Sequence, residues 1–177
     1  VWSFFKIRYT IGQVGSDSAA GRRFMYQDEM GSADGTRFGT SNSPKDGWGY
    51  KKYGSNVGWS TSLKQNLGFD FKFFKDELSL TVELFKEHRT GIFLQRATIP
   101  DYCGFIEMPY ANLGIVDNKG IDMNIEYNKQ LATKTFLTLR GNLTWNEDRI
   151  IEDDQPEPAY PWLETRGTNV LARWGWI

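Results

Sequence analysis

Two runs of alternating apolar and polar residues, 66–74 and 78–85, stand on either side of Lys75, Asp76 and Glu77. In the first, Leu67, Phe69, Phe71 and Phe73 share one parity against Asn66, Gly68, Asp70 and Lys72. In the second, Leu78, Leu80, Val82 and Leu84 alternate with Ser79, Thr81 and Glu83. A period of two belongs to a strand with one apolar and one polar face, so the pair predicts a hairpin. The pattern returns at Ile121, Met123, Ile125 and Tyr127 against Asp122, Asn124, Glu126 and Asn128. It returns again at Leu137, Leu139, Leu143 and Trp145 against Thr138, Arg140, Asn142 and Thr144. Near the start, Ile7, Tyr9 and Ile11 oppose Lys6, Arg8 and Thr10.

These patterns predict five strands, at about 4–14, 58–74, 78–94, 114–131 and 135–150. The connections alternate in length. Residues 15–57 form a long polar stretch with short candidate strands near 22–27 and 47–53. Residues 75–77 and 132–134 are tight turns, and 95–113 is a second long loop. Pro156, Pro158 and Pro161 prevent the last strand from continuing, because proline removes ladder donors. Fourteen or more residues at about 3.3 Å each exceed roughly 45 Å, well beyond the usual soluble strand of about 5–6 residues. Long strands with short turns at one end and long loops at the other are the pattern of an outer-membrane β-barrel. On that reading the short turns lie on the periplasmic side, with Phe73, Phe74 and Phe136 beside them as an aromatic girdle. The competing reading is a soluble β-sandwich with one buried face per sheet. Five strands fall short of the roughly eight needed for closure, and open edges cannot stand in hydrocarbon. The membrane reading therefore makes residues 1–177 part of one larger barrel domain.

Composition narrows the picture only slightly. Hydrophobic residues make up 40% of the 177, charged residues 24% and aromatics 15%. No run reaches the roughly 18–20 apolar residues of a membrane helix. A net charge of -1 offers no electrostatic footprint for nucleic acid. A single cysteine, Cys103, excludes an internal disulfide framework. No phosphate-binding glycine loop, Gly-x-Ser-x-Gly elbow or zinc spacing occurs, and one histidine makes a catalytic triad a poor fit. The sequence thus predicts neither an enzyme nor a cofactor.

Several segments carry a more specific signal. The run from Asn66 to Phe85, with Arg89-Thr90-Gly91-Ile92, resembles the C-terminal barrel of SusC-like TonB-dependent transporters of Bacteroidetes. The most specific marker is N-x-G-x-x-x-N-K-G-x-D, formed by Asn112, Gly114, Asn118, Lys119, Gly120 and Asp122. Tyr160-Pro161-Trp162 followed by Trp174-Gly175-Trp176 is similar to a late outer loop of that family. The resemblance implies a segment of a barrel of about 22 strands, whose plug and remaining strands lie outside this sequence. It implies import of glycans or oligopeptides powered through TonB, and a SusD-like surface lipoprotein as partner. The alternative function is a soluble all-β module that presents loop aromatics to a carbohydrate.

The barrel reading assigns faces. Leu67, Phe69, Phe71, Leu80, Val82, Leu84, Ile121, Met123, Ile125, Leu139 and Leu143 would meet lipid. Asp70, Lys72, Glu83, Asp122, Asn124, Glu126, Arg140 and Asn142 would line the lumen, although plain solvated surface explains them as well. Trp48, Tyr50, Tyr102, Tyr110 and Trp162 are loop aromatics, open either to substrate contact or to packing at the barrel mouth. Glu152, Asp153, Asp154 and Glu157 could gather calcium, but their spacing is not that of an EF-hand and a solvated acidic loop is the simpler expectation. His88 is expected at the outer rim with no metal, and Cys103 has no candidate base beside it.

Overall fold

The computed structural model describes residues 2–17, 23–33, 35, 37–40, 43–53 and 56–172. In chain order the strands are β1 (Trp2–Ser16), β2 (Glu29–Ala33), β3 (Arg37–Phe38), β4 (Ser43–Pro44), β5 (Gly47–Lys52), β6 (Ser60–Phe73), β7 (Leu78–Gln95), β8 (Tyr110–Ala132) and β9 (Thr135–Glu152). Single 3-10 turns lie at Asp101–Cys103 and Pro161–Leu163. Five long strands form one antiparallel sheet in the order β1-β6-β7-β8-β9. They run from 14 residues in β6 to 23 in β8, which is about 46 to 76 Å of extended chain. The small ladders β2–β5 and β3–β4 belong to the long connection between β1 and β6.

The register carries each parity across the sheet. Tyr9, Leu67, Leu84, Ile121 and Trp145 form one row. Two residues nearer the tight turns, Ile7, Phe69, Val82, Met123 and Leu143 form the next. Phe5, Phe71, Leu80, Ile125 and Gly141 follow, then Trp2, Phe73, Leu78, Tyr127 and Leu139. Directly paired residues point to the same side, so these rows build an apolar band about 20 Å long on one face. The residues between them put polar rows on the other face.

Nothing among the described residues covers that band. Substantial contact between described elements is confined to ladder neighbours. Ile7, Leu139 and Leu143 are each more than half exposed, and among the described residues the buried apolar side chains are Met25 and Phe93. A sandwich would need a second layer over the band, and a single sheet does not supply one. The fold is a segment of an antiparallel barrel wall, unclosed on its own.

Aromatic side chains gather at the tight-turn end. Trp2 meets Phe5, Phe71 and Phe73 edge to face at 5.9–6.2 Å, and Phe5 stacks on Phe71 at 5.1 Å. Phe74 and Phe136 are exposed beside the turns. Phe74, Lys75 and Asp76 reverse the β6–β7 chain in the left-handed region, at φ of 56°, 56° and 70°. The Glu77 amide donates to the Phe74 carbonyl at 3.3 Å to close the turn.

The structure alters two expectations about the elements, and a third falls where nothing is described. β8 begins at Tyr110 rather than near 114, because a bulge between Arg89 and Ile92 lets β7 resume pairing as far as Gln95 with Tyr110. The segment 23–27 is no strand: the Gln27 amide donates to the Phe24 carbonyl in a turn, with Phe24 at φ 56°. Its apolar residues have no ladder partner, and Met25 is buried instead. The motif at 174–176 lies outside the described residues.

Candidate functional site

The polar face is organised around Arg8. Its guanidinium donates to both Asp70 carboxylate oxygens, at 2.9 and 3.1 Å, and to Glu83 at 2.9 Å. Thr81 adds a hydrogen bond to Asp70 and Asn66 adds one to Glu83. Such forked contacts fix direction as well as charge. Residue 68, opposite Arg8, is glycine and leaves room for the guanidinium, since a Cβ there would lie 3.1 Å from it. Towards the turn end, Arg140 and Asn128 donate to Glu126. Towards the loop end, Ser62 and Arg89 donate to Glu87.

Every residue assigned to the lumen lies on this polar face. Asp70, Asn124 and Asn142 share a row, Glu83 and Asp122 the next, and Lys72, Glu126 and Arg140 the row nearest the turns. Every residue assigned to lipid lies on the opposite face. Arg8 and Phe85 are among the members of the polar face that the lumen assignment left out. Arg8 showed the right parity, but its partners are 62 and 75 positions away. Phe85 is apolar on the polar parity and lies over Gly120, its direct ladder partner. The glycine in the N-K-G motif was the available signal.

The loop aromatics do not converge on one site. Trp48 and Tyr50 are on β5, where Tyr50 packs with Tyr53 and Phe105. The Ile106 amide donates to the Tyr50 carbonyl at 2.9 Å, joining the insertion to the 96–109 connection. Tyr110 is a strand residue rather than a loop residue, and its ring stacks on buried Phe93 at 5.3 Å. Tyr102 stands almost fully exposed in the 101–103 turn, beside exposed Cys103. Trp162 is exposed and stacks on Tyr160 at 4.7 Å.

The acidic segment after β9 is a set of hydrogen-bond acceptors rather than a solvated loop. Asp154 accepts from the Arg96 guanidinium at 2.8 Å, from the Ala97 and Thr98 amides and from the Thr98 hydroxyl. Glu152 caps the amides of Asp153 and Asp154. Asp153 accepts from the Thr165 hydroxyl. Burial would raise the Asp154 pKa, but Arg96 and the surrounding donors outweigh it and hold the carboxyl below its usual range. Among the described residues, no cluster of His, Cys, Asp or Glu is arranged to hold a metal ion. His88, at the loop end, hydrogen bonds its ladder partner Asp117.

A second feature of the loop end is the Asn112 side chain. Its Oδ1 accepts from the Gly58 amide at 2.8 Å, while its Nδ2 donates to the carbonyls of Gly58 and Gly91 at 2.9 and 2.7 Å. It ties β8 to the segment before β6 and to the bulge in β7, where Gly91 has φ +66°. The first residue of the N-x-G motif is thus a clamp between strands.

A single-layer sheet with a bare apolar band and an ion-paired polar face has a counterpart among known proteins. Residues 9–173 match the family model described as TonB dependent receptor-like, beta-barrel. The chain belongs to this family. A TonB-dependent receptor of Formosa agariphila is 31% identical over 98 residues, 55% of this chain and 9% of that protein. The TonB-dependent receptor SusC of Bacteroides thetaiotaomicron is 28% identical over 101 residues, 56% of this chain and 10% of that protein. This TonB-dependent receptor segment thus spans about a tenth of the length of those relatives. Its fold is that of a segment of the RagAB peptide importer in the closed-closed state, with a TM-score of 0.69. That match has 16% identity and covers 94% of this chain and 18% of that one. The open-open state of the importer matches at a TM-score of 0.66 over 85% of this chain and 16% of that one, with 18% identity. The family is one of transporters, and the N-K-G motif and the Arg8 network are parts of its barrel wall in this chain.

Proposed function

We propose that this chain is a wall segment of an outer-membrane importer that draws its energy through TonB. The observation that carries the reading is the bare apolar band on one face of the sheet, backed by a charged, hydrogen-bonded face. The band meets lipid and the Arg8 face lines the lumen, where mixed charges suit contact with a plug. The tight turns at 75–76 and 133–134 face the periplasm, and the 96–109 and 153–169 connections face outward.

Cargo and partner meet at those outer connections. The cargo is a glycan or oligopeptide, and exposed Trp48, Tyr102 and Trp162 are the side chains best placed to touch it. Tyr50 and Tyr110 support the mouth by packing. A SusD-like lipoprotein seated over the mouth completes the assembly. Relatives bearing the SusC name and the peptide-importer fold support this reading.

Cys103 is a native probe of the arrangement, being exposed in the 101–103 turn. In intact cells producing the full-length protein, a membrane-impermeant maleimide should label Cys103, with Cys103→Ser as the blank. A cysteine introduced as Asp76→Cys on that blank should react only after the outer membrane is opened. Reaction at Asp76→Cys in intact cells with a silent Cys103 would invert the topology and overturn the proposal. Growth on single glycans or peptides, with and without TonB, then identifies the cargo.

A further inference from the structure

Immediately beyond the apolar band, on the same face and towards the long loops, the ladder aligns Ile11, Gln65, Lys86, Lys119 and Glu147. This row is about 6.6 Å past the row of Tyr9 and Trp145, two residues along each strand. Lys86 and Lys119 are direct partners, both exposed. Like charges directly opposite each other in a sheet repel. Lys119 has Glu147 at 3.2 Å, which Arg149 also engages at 2.8 Å. Asp117, in the next row, is taken by His88. No carboxylate of a described residue lies within ion-pair distance of Lys86. Three cations therefore face two carboxylates, and the surplus centres on Lys86.

We propose that the Lys86–Lys119 pair binds the phosphate of an anionic phosphoglycolipid in the outer leaflet, whose acyl chains lie on Leu84, Ile121 and Trp145. The inference rests on the membrane placement proposed above. The occupant follows from position. An anion shared by two neighbouring lysines relieves their repulsion, and Gln65 beside Lys86 offers an amide donor. The apolar row directly below suits a ligand whose charged head continues into hydrocarbon, which free phosphate lacks. Lysine stems reach from an apolar surface to the headgroup level while keeping the ammonium wet. Basic clusters at that level are a recognised basis of anionic-lipid selection.

The test uses the full-length transporter, purified in detergent and titrated with bis-phosphorylated lipid A, with binding read by native mass spectrometry. Lys86→Gln/Lys119→Gln should weaken binding about 30-fold, the sum of two surface lysines near a lipid headgroup. Lys86→Arg/Lys119→Arg should retain binding, and dephosphorylated lipid A should bind wild type as weakly as the Gln variant. Equal binding by wild type and the Gln variant, or of both lipid forms by wild type, would overturn the proposal. So would displacement by millimolar inorganic phosphate alone, which would assign the site to the free ion. Insertion into vesicles, scored by heat-modifiable gel migration, is measured for every protein. Failure of wild type to insert would defeat the membrane placement, whereas normal insertion without a binding difference defeats the lipid site alone.

Discussion

At Gly120 a hydrogen stands where any other residue would carry carbon. A Cβ there would sit 2.4 Å from the Phe85 ring and 2.4 Å from the Trp145 carbonyl oxygen. The ring could rotate, but the carbonyl belongs to the ladder. Gly120→Ala should therefore destabilise the barrel by about 1–3 kcal/mol, the usual cost of overpacking. Phe85→Ala should restore only part of the loss, as read by urea unfolding of the full-length protein in lipid vesicles. Asn112 allows a sharper distinction, since its amide both donates and accepts. Asn112→Ala removes the bonds to Gly58 and Gly91 and should cost about 1–3 kcal/mol. Asn112→Asp keeps an acceptor for the Gly58 amide but cannot donate to the two carbonyls, so it should be no milder than Ala. An Asp variant as stable as wild type would remove the clamp from the account.

The strands divide their two faces by chemistry, and single substitutions can read the division. Val82 lies in the second row of the apolar band, and Thr81 is its neighbour on the polar face beside Asp70. Val82→Arg should cost about 2–4 kcal/mol if the row lies near mid-bilayer, and should reduce insertion into vesicles. Thr81→Arg points the same charge into the polar lumen, next to carboxylates, and should insert normally. Equal effects would mean that both faces meet the same medium. The strand extents were readable because period-two alternation persists through 67–73, 78–84, 121–127 and 137–145. The start of β8 was not. Residues 110–113 pair only because a bulge near Gly91 restores the ladder, and alternation contains no signal for that. The turn at 23–27 misled for a related reason, since a short apolar run becomes a strand only where a partner strand is available.

Across the whole molecule, the loops are held to one another as well as to the sheet. Asp154 ties the segment after β9 to Arg96, Ala97 and Thr98 after β7. Its folded pKa is depressed, so its stabilisation is complete above the unfolded carboxylate value and is lost as pH falls through the folded one. Hydrogen exchange of the Ala97 and Thr98 amides should thus be constant near neutral pH, after correction for intrinsic rates. It should accelerate only below about pH 4, where an ordinary aspartate protonates. Asp154→Asn should raise that exchange about tenfold at neutral pH, as expected for loss of a hydrogen bond to a charged acceptor. The acidic composition of 152–157 suggested solvated charge or a cation site. That the positive partner is an arginine 58 positions away is a consequence of β7 and β9 both ending at the loop side of the sheet.

Local pattern was enough for the class of fold, the strand directions and the division into two faces. Side-chain parity is dictated by backbone geometry, and tight turns leave adjacent strands only one way to pair. The unusual strand length together with the loop asymmetry also sufficed to favour a barrel wall over a sandwich. What needed the three-dimensional arrangement was every relation between distant positions. Arg8 reaches Asp70 and Glu83 because β1 skips the long insertion to pair with β6. Asn112 clamps Gly58 and Gly91 because the segment before β6 and the bulge in β7 both come alongside β8, and Lys86 lies against Lys119 because of one particular register. Shifting that register by one residue would move every such side chain to the other face. Alternation specifies which residues share a side of their own strand, whereas only the assembled ladder decides which residues of other strands they meet there.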